Sequence, residues 1–217
     1  MLFVDSSVPS EVKRIFSWGV ASGVTTNPLI ISREHGDVDL EACIREILAC
    51  SHGPVAVELT SETYDEMLRE ALGYHEWDPE RVHIKIPFGE LGLQVLRQLR
   101  QRHVRTNVTC MLSFNQVYLA ALGGADYLSI FGGRVRDLGC DVRPLIAECR
   151  AVLEREGLPG KLLVGSMRQM YDVNEAIQAG AHVVTVPAAL FEKMLHHPRT
   201  ESTIREFQEA WVGRTKR

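Results

Sequence analysis

The chain has 217 residues, 45% hydrophobic and 24% charged, with a formal net charge of −4. That balance suits one soluble globular domain with a substantial core and supplies no basic surplus for a nucleic-acid partner. The five cysteines, Cys43, Cys50, Cys110, Cys140 and Cys149, are odd in number and lack CxxC spacing, so they indicate neither a disulfide framework nor a zinc site and fit a reducing cytoplasm. The N-terminus, MLFVDSSVPS, has an acid at its fifth residue in place of a basic, apolar leader, and no run approaches the ~20 apolar residues of a membrane span. Neither secretion nor membrane insertion is expected.

Short apolar runs alternate with longer amphipathic segments. In chain order, strands are predicted at 2–5, 23–26, 54–59, 82–87, 105–112, 126–131, 161–167 and 182–187. Helical patterns lie between them at 10–23, 39–50, 63–75, 91–102, 114–125, 142–157, 169–181 and 188–197, with apolar residues recurring at three and four, as in Leu93, Val95, Leu96 and Leu99. Gly123, Gly157 and Gly180 read as helix C-terminal caps. Eight strand–helix units whose strands look too apolar to face water predict an all-parallel sheet closed as a (β/α)8 TIM barrel over residues 1–217. An open doubly wound sheet is the structural alternative, and the absence of GxGxxG after the first strand counts against its dinucleotide-binding form. One further helix, at about 198–213, follows the eighth unit with Ile204, Phe207, Ala210 and Trp211 at helical spacing. A completed barrel has no evident need of it.

The fourth strand, VHIKIP, holds a lysine, Lys85, among Val82, Ile84 and Ile86. An ammonium loses hydration there, so Lys85 snorkels to the rim, sits in an ion pair, or is a reactive amine whose neutral form the apolar setting favours. Its company bears on the choice. Barrels of this kind build their sites where strands end at the C-terminal rim. Those ends carry Asp5, Thr25, Thr26, Asn27, Glu58, Asn107, Thr109, Ser129, Phe131, Arg134, Ser166 and Arg168. Asn107 and Thr109 share a face of their strand, as do Ser129 and Phe131. Singly, each has a plainer explanation: Asp5 as a helix cap, Thr26-Asn27 before Pro28 as turn chemistry, the arginines as solvated rim charges. Together, on six strands around a lysine on a seventh, they point to a site.

The motifs FVD, GVTTNPLII, VAVEL, IKIP, TNVTCMLSFNQ, AGAHVVTVP and HHPRTESTIREFQEAW, in this order from residue 2 to residue 211, resemble those of the short-form transaldolases, the group that includes fructose-6-phosphate aldolase. The resemblance implies a class I aldolase mechanism without metal or organic cofactor. Lys85 would form a Schiff base with a ketose carbonyl, Asp5 would exchange the proton of the C4 hydroxyl, and Glu58 and Thr109 would hold the water that shuttles protons during Schiff-base formation. Asn27 and Asn107 would fix the hydroxyls of a dihydroxyacetone fragment, with Thr26 and Ser129 completing that shell. Arg134, Ser166 and Arg168 would bind the anionic tail. The resemblance also implies a pentamer-based decamer with the last helix on a neighbouring subunit.

Phe88-Gly89-Glu90, Arg136 before Asp137, and Met170 depart from the family's usual residues beside the expected tail site. The leading expectation is transfer of a dihydroxyacetone unit from a ketose phosphate to an aldehyde. The alternatives are a transaldolase for 6-sulfo ketoses, an aldolase releasing dihydroxyacetone, and a silent sugar-phosphate-binding barrel. Glu58 and Phe131 favour transfer, since the positions they resemble in the aldolases carry Gln and Tyr.

Overall fold

Alternation of short β-branched runs with amphipathic helices builds parallel strands whose crossovers lie on one side of the sheet. The computed structural model describes residues 1–35 and 39–214. The elements are β1 (Leu2–Asp5), α1 (Pro9–Ser17), β2 (Ala21–Thr25), α2 (Pro28–His35), α3 (Leu40–Cys50), β3 (Val55–Glu58), α4 (Tyr64–His75), β4 (Val82–Pro87), α5 (Glu90–Gln101) and β5 (Thr106–Met111). They continue with α6 (Phe114–Leu122), β6 (Tyr127–Phe131), α7 (Gly132–Asp137), α8 (Val142–Arg155), β7 (Lys161–Gly165), α9 (Met170–Gln178), β8 (Val183–Pro187), α10 (Ala188–Leu195) and α11 (Pro198–Arg214). All eight strands pair in parallel with their sequence neighbours, and β8 closes on β1, giving a (β/α)8 barrel followed by a C-terminal helix.

The predicted strands are all present, and the helices differ in four places. The first helix ends at Ser17, because Ala21, Ser22 and Gly23 pair as β2 instead of continuing it. Two short helices, α2 and α7, sit on the rim where the sequence reads as turns. Gly123 is itself helical in conformation, and Gly124 is the residue with a left-handed φ of 82° that ends α6.

The strands are not apolar on both faces. Val4, Val24, Val57, Ile84, Ile86, Val108, Leu128, Ile130, Val164, Val184 and Val186 pack outward against the helices in one continuous core. The alternate positions point inward, as a period of two requires. At the floor Phe3, Tyr127, Leu163 and Val183 form a separate small cluster, with Phe3 edge-on to Tyr127 at 5.5 Å. Gly23 makes room for it, since a Cβ there would meet the Phe3 ring at 2.7 Å. Above this plug the inward residues turn polar: Asp5, Thr25, Lys85, Asn107, Ser129 and Thr185. The helices stabilise the outer face, and the inner face is left for chemistry.

Candidate active site

The strands deliver their inward side chains to a cavity of about 600 Å3 at the C-terminal mouth of the barrel. Register sets the neighbours: Glu58 lies opposite Lys85, Lys85 opposite Asn107, and Asp5 opposite both Thr25 and Pro187. Adjacent parallel strands thereby bring a carboxylate and an amine from distant parts of the chain to contact distance.

Lys85 is the centre. Its side chain is only 5% exposed, its Nζ lies 2.7 Å from Glu58 Oε2, and it donates to the Thr26 carbonyl at 2.9 Å. The Phe131 ring covers it at 5.9 Å from the ring centroid. The setting is therefore a buried ion pair at the edge of a cavity, and not the purely apolar strand that the sequence suggests. A proton leaving the ammonium has a carboxylate acceptor within hydrogen-bond reach.

Asp5 lines the same cavity, with its Oδ1 accepting from Thr25 Oγ1 at 2.8 Å. Burial pushes its pKa above the ordinary aspartate value; the Lys85 charge and the Thr25 hydrogen bond oppose this, while Glu34 and Glu58 add to it. Glu34 is itself fixed by Ser7, whose backbone N–H and Oγ donate to it at 3.0 and 2.6 Å.

Asn27, Ser129, Phe131, Arg134, Ser166 and Arg168 also line the cavity. Asn27 Oδ1 accepts from Ile30 N at 3.0 Å and caps α2, which fixes the side chain at the cavity wall. Ser129 donates to Asn107 Oδ1 at 2.7 Å, so Asn107 stands one hydrogen bond behind the wall with its Nδ2 unpartnered among the described residues. Thr109 is fully buried beside it on β5, its hydroxyl likewise unpartnered. Thr26 departs from expectation. Its hydroxyl donates to the Ala56 carbonyl at 2.8 Å, and what it offers Lys85 is its backbone oxygen.

The trio expected to bind the tail is only partly open. Arg134 is exposed at the mouth and Ser166 holds a left-handed φ of 63°. Arg168, however, is gripped by Asp137 through both carboxylate oxygens, with Nη2 2.5 Å from Oδ2. Arg136, which departs from the family pattern, leaves the site altogether: it pairs with the buried Asp172 and Glu175 of α9 and lies over the Tyr171 ring.

Residue-by-residue reading of strand ends missed Thr185. It lies alone among valines in β8, where the strand reads as purely apolar, yet it is inward and 2.6 Å from Thr25. Parity with Pro187 at the cavity wall was the available signal. Arg33 and Glu34 escaped notice because α2 itself was not anticipated.

Residues 2–216 match the family described as Transaldolase/Fructose-6-phosphate aldolase. The chain is similar to a probable transaldolase 2 of Listeria monocytogenes, 39% identical over 209 residues covering 96% of this chain and 94% of that protein. It is also similar to probable transaldolases of Streptococcus equi subsp. zooepidemicus, at 37% identity with 97% of each chain covered, and of Alkaliphilus metalliredigens, at 35% with 99% of each.

Proposed function

Because the chain belongs to the transaldolase/fructose-6-phosphate aldolase family and is a transaldolase enzyme, we propose that it moves a dihydroxyacetone unit from a 6-phosphorylated ketose, such as fructose 6-phosphate, to an aldehyde acceptor in the cytoplasm. The observation that carries this reading is the Lys85–Glu58 pair, 2.7 Å apart at the wall of the cavity. Lys85 gives up a proton to Glu58 and attacks the ketose carbonyl. The proton returns, with Thr109 helping to hold the shuttling water, as the carbinolamine loses water to give an iminium. The iminium withdraws the electron pair of the C3–C4 bond as Asp5 takes the proton of the C4 hydroxyl; the aldehyde leaves and an enamine remains on Lys85. Addition to the acceptor reverses these movements. Asn27, Asn107 and Ser129 orient the hydroxyls of the three-carbon unit, because amide and hydroxyl groups both match alcohol partners.

The tail docks against Arg134, Ser166 and Arg168, whose guanidinium and hydroxyl donors suit a tetrahedral oxyanion. A 6-sulfo ketose is the second reading, favoured by one observation: Asp137 already neutralises Arg168, which leaves a rim better matched to a monoanion. Borohydride reduction in the presence of fructose 6-phosphate is expected to leave a three-carbon adduct on Lys85, located by peptide mass spectrometry. An adduct on Lys13, Lys161 or Lys193 instead overturns the assignment. Assay of phosphorylated and sulfonated ketoses, with and without an aldehyde, distinguishes the two tails and separates transfer from release of dihydroxyacetone.

A further inference from the structure

Thr25 and Thr185 have no part in the chemistry above, yet they form a chain of hydroxyls that ends on Asp5. Thr25 Oγ1 donates to Asp5 Oδ1 at 2.8 Å and lies 2.6 Å from Thr185 Oγ1. A hydroxyl has a single proton to donate. Since that of Thr25 goes to Asp5, the proton in the second bond belongs to Thr185, and the chain runs from Thr185 through Thr25 to the carboxylate. Both threonines are buried, at 4% and 2% exposure. They stand on β8 and β2, the two strands that flank β1, so Asp5 is held by its immediate neighbours in the sheet.

The consequence is an asymmetry between the two carboxyl oxygens. Oδ1 is engaged by Thr25, whereas no donor meets Oδ2 among the described residues. An oxygen that already accepts a hydrogen bond from a buried donor is the poorer site for an incoming proton. We propose that Thr25 and Thr185 are positioning residues that fix the Asp5 carboxyl, reserve Oδ2 as the oxygen that exchanges a proton with the sugar hydroxyl, and stabilise the ionised form that starts each cleavage. The inference rests on the proton role given to Asp5 above. In that step the hydroxyl O–H bond breaks and its proton bonds to Oδ2. The O–H electron pair becomes the second C–O bond of the aldehyde, and the C3–C4 pair passes into the iminium.

The charged groups facing Asp5 are Lys85 from β4, Glu58 from β3 and Glu34 from α2. Burial and the two glutamates favour the protonated carboxyl, while Lys85 and the Thr25 hydrogen bond favour the carboxylate. Thr25→Val removes the hydrogen bond and keeps the shape. It is expected to move the acidic limb of the pH profile of kcat to higher pH and to slow single-turnover cleavage roughly 10- to 100-fold near neutrality, the range for a hydrogen bond to a charged group. Thr185→Val should shift the limb in the same direction by less, and Thr25→Ser should restore the wild-type profile. Total borohydride-trapped adduct on Lys85, intact sugar plus three-carbon fragment, should form at the wild-type rate in all three, because the Schiff base forms before cleavage, while the share of intact sugar should rise in the valine variants.

The carboxyl 13C titration of Asp5 in the ligand-free protein reads the same coupling without turnover. An unmoved Asp5 titration in both valine variants overturns the proposal and leaves the Lys85 chemistry standing. A moved titration with an unmoved pH–rate limb shows that Asp5 is not the proton carrier, and then both fall. Because Thr185→Val acts through Thr25, it keeps the test decisive even where Thr25→Val fails to fold.

Discussion

Asp5 and Glu58 are two carboxylates in one cavity, and the proposed mechanism gives them different work according to their surroundings. Glu58 touches the nitrogen of Lys85, so it belongs to the steps in which that nitrogen gains or loses protons. Asp5 is held by Thr25 with its pKa pushed up by burial, so it suits a proton that is taken up and returned. Asp5→Asn is expected to slow bond cleavage about 100- to 10,000-fold, the usual weight of general acid–base catalysis, while an adduct of the intact sugar accumulates on Lys85. Glu58→Gln should slow formation of the adduct itself. Identical kinetic defects in the two variants would show the division to be wrong. The same environment predicts a stability effect. The native state binds the Asp5 proton more tightly than the unfolded chain does, so stability falls as pH rises from the ordinary value of 3.8 through the raised native value. Asn carries no charge to bury. Asp5→Asn should therefore be more stable than the wild type at neutral pH and lose that advantage near pH 3, which denaturant melts at the two pH values would reveal. Equal stability at both would mean that burial of Asp5 is not a strained feature.

At the scale of elements, the barrel was legible and its rim was not. Each strand is a short, mostly apolar run bounded by Gly, Pro or charged residues, and the alternation repeats without interruption, so eight units could be counted from the sequence. The helices α2 and α7 lack that signature. Asn27-Pro28 reads as a turn and Gly132-Gly133 as a loop, because glycine is a poor helix former. Packing overrides the propensity: a Cβ on Gly133 would stand 2.2 Å from the Ser166 carbonyl oxygen, so only glycine lets α7 lie against the loop after β7. Arg136 could not be placed from its neighbours in sequence either, because its partners come from another helix. Its partners, Asp172 and Glu175, are buried on α9 and are also reached by Arg143 of α8 at Glu175. Asp172 in turn accepts from the backbone N–H of Arg168 and Gln169 at 2.9 and 3.0 Å, which fixes the loop that carries Arg168, the arginine proposed to bind the tail. Arg136→Met strips a counter-charge from two buried carboxylates. It should cost about 3 kcal/mol, the low end for breaking a buried ion pair because Arg143 remains. It should also raise KM for the anionic donor more than it lowers kcat with a neutral dihydroxyacetone-type donor. A stable variant with unchanged KM would dissociate this charge cluster from the tail site.

At the scale of the molecule, α11 is the element the barrel does not use. The sheet closes through β1 and β8, so no edge needs covering, and none of the 17 residues of α11 is buried. Ile204 and Phe207 are 50% and 70% exposed, three residues apart on one face, with Trp211 one turn further on and 67% exposed. A helix of this length is marginal without a surface to pack on, and an apolar stripe left in water marks an interaction site. We propose that a second copy of this chain covers it, in the pentamer-based decamer that the resemblance implies. Light scattering should then find an assembly at micromolar concentration, and truncation after His197 should break it into smaller species. Phe207→Glu, which keeps the helix and places a charge at the centre of the stripe, should do the same. The cavity is lined by residues of one barrel, so both variants should still trap a ketose on Lys85. A monomeric wild type would contradict the role given to α11. Loss of trapping together with the assembly would show that a neighbouring copy shapes the mouth of the site.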